Sequence, residues 1–104
     1  MIGDVHDIFT QFKEDFGEVY RLEEELGQYI HTQGGPLPER SRWLVKVAIS
    51  AAAGRHRALE THLVKAREAG VSEEELRQVL LLLIPTIGFP GFMEAYQTYK
   101  GLNP

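Results

Sequence analysis

The clearest chemical signal in this 104-residue chain is the spacing of Arg55 and His62. Seven residues turn an α-helix through about 700°, so the two side chains leave it in nearly the same direction, with Ala58, Leu59 and Ala66 on the same stripe. A cation beside an imidazole suits a small anionic ligand such as a carboxylate. Histidine titrates close to neutrality and can carry a proton either way. The plainer arrangement of the same residues is a core or interface histidine bonded to a backbone carbonyl, with Arg55 at the mouth of the helix. Glu60 is the acid nearest to His62 in sequence. It also reads as a solvated helix acid lying four residues after His56, a spacing that suits a surface pair. A Ser50–His62–Glu60 triad is disfavoured, because a serine in mid-helix among alanines usually bonds its own backbone.

Composition removes several classes of function. The chain has no cysteine, which excludes disulfides, thiolate metal sites and cysteine nucleophiles. His56 and His62 are six positions apart and fall about 120° from one another around a helix, whereas helical ligand pairs sit at i, i+3 or i, i+4. His6 beside Asp7, and the lone His31, add no ligand set. No metal and no cofactor are expected. The net charge of −4, with no Lys/Arg block, argues against nucleic acid. The start, Met1 to Asp7, is acidic and has no apolar segment of the kind that secretion signals carry. The apolar run Val79 to Pro85 is far shorter than the roughly 20 residues of a membrane span. A cytoplasmic protein without membrane association is the expectation.

The elements that must position these side chains all read as helix. Val5, Ile8, Phe9, Phe12 and Phe16 form one stripe behind an Asp4 cap, and Gly17 interrupts it. Val19, Leu22, Leu26, Tyr29 and Ile30 form a second stripe. Gln33 to Pro38 is the strongest break, with Pro38 suited to the first position of a third helix reaching Ala53. That helix is apolar on nearly every side after Arg42, apart from Lys46 and Ser50, and such a helix is expected to be buried nearly all round. The helix of Arg55 to Ala69 closes at Gly70. Ser72 and Glu75 make a capping box for a fifth helix, apolar through Ile84. Gly88-Phe89-Pro90-Gly91 stops it, and Pro90 opens a short sixth helix whose Tyr96 and Tyr99 are expected to keep their hydroxyls in water.

The expectation is therefore an all-α single domain over residues 1–104, an orthogonal bundle of about six helices. The third and fifth helices need more cover than four short neighbours supply, so the chain is expected to form a homo-oligomer through them.

Residues 37–96 resemble the carboxymuconolactone decarboxylase and alkylhydroperoxidase D-like superfamily. The likeness lies in an ordered set: Leu37-Pro38-Glu39-Arg40-Ser41-Arg42-Trp43-Leu44-Val45 opening a core helix, then the alanine-rich run from Ala48 to Arg55. His62 and Ala66 follow, with Gly70-Val71-Ser72-Glu73-Glu74-Glu75 as glycine stop and capping box, and a late Ile87-Gly88-Phe89-Pro90 turn. The resemblance implies an alkylhydroperoxidase D-like fold whose subunits associate as trimers or hexamers, with His62 near an interface pocket.

In the peroxidase branch two cysteines precede the histidine by seven and four residues, which here are Arg55 and Ala58. The glutamate twelve residues before the first cysteine falls on Trp43. Thiol peroxidase chemistry is thereby ruled out, since no thiolate can attack and no second thiol can resolve. The decarboxylase branch lacks the cysteines too, and its Gly-Arg-x-x-x-Leu-x-x-His pattern matches Gly54, Arg55, Leu59 and His62. Its reaction moves a proton to and from a lactone-stabilised carbanion, ideally with a carboxylate partner. The resemblance thus implies His62 and Glu60 as catalytic groups, Arg55 as the carboxylate holder, and Trp43 as either a packing residue or a cap over the space the glutamate would fill. The function expected is acid/base chemistry on a small carboxylated or lactone substrate. The alternative is a non-catalytic helical homo-oligomer that binds a small molecule or a protein partner.

Overall fold

The computed structural model of the chain describes residues 5–102, and these form seven α-helices and no strand. They fall into two compact units divided between Pro36 and Leu37.

The first unit holds α1 (Val5–Asp15) and α2 (Gly17–Gln33). The break lies at Phe16, one residue before the expected interruption, with backbone angles of −136° and 58°. Aromatic rings hold the two helices together: Phe9 and Phe12 meet Tyr20 edge-on at 5.6 and 6.3 Å between centroids. No residue of α2 is buried, so the stripe of Val19, Leu22, Leu26 and Ile30 lies exposed. Asp4, the expected cap of the first helix, and the His6 side chain lie outside the described residues.

The second unit contains α3 (Glu39–Ala52), α4 (His56–Glu68), α5 (Glu73–Leu81), α6 (Leu83–Ile87) and α7 (Phe89–Leu102). Its core joins Val47 of α3, Leu59 and Leu63 of α4, Leu76 and Leu80 of α5, and Tyr99 of α7, each about fully buried. Pro38 caps α3 rather than opening it. Both glycine stops work as left-handed caps. Gly54 at φ 71° and Gly70 at φ 92° let the chain reverse after α3 and α4. The next N–H then reaches back, Arg55 to the carbonyl of Ser50 and Val71 to that of Ala66. The capping box forms in both directions, Glu75 N–H donating to Ser72 Oγ and Ser72 N–H to Glu75 Oε1.

Further features depart from the sequence expectation. The fifth helix is divided at Leu82. Pro85 is the cause: it has no N–H for the Leu81 carbonyl and its ring crowds that carbonyl. The last helix starts at Phe89 and runs 14 residues, so it is not short. Tyr99 is 1% exposed, and its hydroxyl meets Glu73 rather than water. Within the single chain, α3 is also covered on one side only: Val47, Ser50 and Ala51 are buried, whereas Val45 and Ile49 are 45% and 62% exposed.

Candidate active site

His62 sits in the middle of α4, on the side that faces α3, with part of its surface open. Its Nδ1 lies 3.2 Å from the backbone carbonyl oxygen of Lys46 and 3.2 Å from Ser50 Oγ. Trp43, one turn earlier on α3, brings its ring to 5.9 Å from the imidazole centroid at a tilt of 49°. The two rings are neighbours, with no room for a ligand between them. Trp43, Lys46 and Ser50 stand at i, i+3 and i+7, one face of α3. The Lys46 ammonium lies 4.6 Å from the centroid of the Trp43 ring, and partial burial pushes its pKa below the ordinary lysine value.

Ser50 is 3% exposed, and its hydroxyl is close to two carbonyls of its own helix, Lys46 at 2.8 Å and Val47 at 3.1 Å. The expected self-bonding of a mid-helix serine is therefore observed. That serine also stands beside His62, although its self-bonding position in mid-helix disfavours it as a triad member.

The residues expected to act together occupy different places. Arg55 is the N-cap residue of α4 and is exposed. With Gly54, His56, Arg57 and Ala58 it lines an open surface depression. Seven residues of rise separate it from His62 by about 10 Å along the axis, and helical side chains lean toward the N-terminus, which carries the guanidinium away from the imidazole. Glu60 is exposed and, two residues before His62, leaves the helix about 200° away from it. Trp43 is the expected position that does meet the histidine. His56 pairs across to α7, with Nδ1 3.3 Å from Thr98 Oγ1 and Nε2 3.9 Å from Glu94 Oε1, rather than with Glu60 on its own helix.

Lys46 and Ser50 were missed as site residues. Their signal was present: they are the two polar residues of α3 after Arg42, and a spacing of four puts both on one face. Among the described residues, no group of three or more His, Asp or Glu side chains is gathered so as to hold a metal ion. No helix of the described residues is long and apolar enough to cross a membrane.

An all-α chain that presents one helix histidine to the face of a neighbouring helix, without any thiol, is the class that fold and site define. The sequence matches the Carboxymuconolactone decarboxylase family over residues 17–100, and the chain belongs to that family. No individual curated protein and no solved structure matches it.

Proposed function

We propose that this member of the carboxymuconolactone decarboxylase family performs acid/base chemistry on a small carboxylated or lactone substrate, with His62 as the proton-transfer group. The observation that carries the reading is the partly open imidazole whose Nδ1 is held by the Lys46 carbonyl and Ser50, beside Trp43. A ring whose orientation is fixed through Nδ1 suits a proton carrier.

In such a reaction the bond from a lactone-conjugated carbon to the substrate carboxylate breaks and CO2 leaves. The electron pair stays on that carbon, and imidazolium protonates it. A cation nearby holds the departing carboxylate. Arg55 was the expected holder. Lys46 is better situated for it, because its ammonium and the His62 ring meet the same Trp43 ring. The test is turnover of a panel of carboxylated γ-lactones, followed by CO2 release. His62→Ala should lower kcat/KM about a hundredfold or more with the assembly unchanged by light scattering. Turnover undiminished in His62→Ala sinks the reading.

The alternative, a non-catalytic assembly, draws on the exposed apolar side chains of the single chain. Val45 and Ile49 of α3, Leu81 of α5 and Leu82 just after it, and Phe89 and Met93 of α7 are each more than two fifths exposed. Both readings share self-association, as a trimer or hexamer of copies of this chain. One domain over residues 1–104 is part of the proposal, and the family match over residues 17–100 crosses the division at residue 36 in its favour. A cytoplasmic location completes the proposal.

A further inference from the structure

We propose that Ser50 is a positioning residue that, together with the Lys46 carbonyl, holds neutral His62 in the Nδ1–H form and so assigns the exchangeable proton to Nε2. The direction of each bond follows from what the partners can do. A backbone carbonyl oxygen only accepts, so its 3.2 Å contact with Nδ1 requires a hydrogen on that nitrogen. The Ser50 hydroxyl has one hydrogen, and two carbonyl oxygens of its own helix compete for it at 2.8 and 3.1 Å. At 3% exposure Ser50 has little access to water. Its oxygen is left to Nδ1 as a lone pair at 3.2 Å. Both contacts therefore ask for the same tautomer. The opposite form would set an Nδ1 lone pair against the Lys46 carbonyl, which is repulsive.

The consequence for chemistry rests on the acid/base reading above; the tautomer does not. Imidazolium donates to both partners through Nδ1–H and gives up its proton from Nε2, and loss of that proton yields the form the two acceptors favour. Ser50 thus acts through His62 without touching substrate, in place of the carboxylate that commonly orients a catalytic histidine.

The test is long-range 1H–15N NMR on uniformly 15N-labelled full chain, at a pH where His62 is neutral. Wild type should show a protonated Nδ1 and an unprotonated Nε2. Ser50→Ala keeps a good helix former and leaves no orphaned donor, because the Lys46 carbonyl still accepts. In that variant the Nδ1–H population should fall, and Ser50→Thr should restore it. Where turnover is found, Ser50→Ala should lower kcat about two- to tenfold with KM nearly unchanged, the worth of one hydrogen bond. A neutral wild-type His62 protonated mainly on Nε2 overturns the proposal, as does a Ser50→Ala spectrum identical to wild type. The expected tautomer, with its fall in Ser50→Ala, in a protein that turns over no lactone supports Ser50's role while overturning the enzyme reading.

Discussion

The phenol of Tyr99 on α7 donates to Glu73 Oε1 of α5 at 2.9 Å, closing a bond between residues 26 apart in sequence. Arg67 of α4 grips the same carboxylate with two hydrogen bonds, Nε to Oε2 at 2.7 Å and Nη2 to Oε1 at 2.9 Å, and its guanidinium lies 5.6 Å from the centre of the Tyr99 ring. Three helices are thereby joined at the edge of the core. Tyr99→Phe keeps the ring packing and removes one hydrogen bond to a charged acceptor, so it should cost about 1–2 kcal/mol in urea unfolding. An unchanged midpoint would show that the bond contributes nothing.

Acid should loosen this unit in a defined window. The Arg67 guanidinium first, aided by the Tyr99 hydroxyl, holds the Glu73 carboxyl below its ordinary value of 4.5. The Arg40 guanidinium, then the Ser72 N–H, hold Glu75 down at about 2. Both folded-state pKa values are depressed, so their contribution is present above about pH 4.5 and is lost as pH falls toward 2. The urea midpoint should therefore decline from pH 5 to pH 2, and Glu75→Gln should flatten part of that slope. A midpoint constant over that range would contradict the assignment.

Gly70 takes φ 92° with open space around its Cα, so a methyl group there meets no neighbour and the cost of substitution is in the backbone alone. Gly70→Ala should destabilise by about 1–2 kcal/mol, read as a lower melting temperature. A melting temperature equal to wild type would mean that the turn after α4 relaxes freely.

Ile49 is 62% exposed on the face of α3 opposite Val47 and Ser50. If copies of the chain meet there, Ile49→Glu should leave the circular dichroism spectrum intact and lower the mass found by light scattering at micromolar concentration. A wild-type protein already monomeric at that concentration would remove self-association from the proposal.

Much of the second unit was legible residue by residue. The stop of α4 at Gly70 and the start of α5 at Ser72 came out as read, because caps depend on contacts within a few residues. The division of α5 from α6 was equally local, since it follows from the missing N–H of Pro85 four residues after Leu81, yet the unbroken apolar run hid it. Trp43 stood out only through the resemblance, which places a glutamate at its position; that its ring meets His62 came from the tertiary structure.

By itself the sequence determined that the chain is helical, that no thiol chemistry is open to it, and that His62 shares a helix stripe with Arg55, Ala58, Leu59 and Ala66. Only the tertiary structure decided that Lys46 and Ser50, rather than Arg55 and Glu60, stand against that histidine, and that Tyr99 buries its hydroxyl on Glu73. Helical spacing states which residues share a face. It cannot state which face of another helix lies across from it, because that depends on how several apolar stripes close over one core.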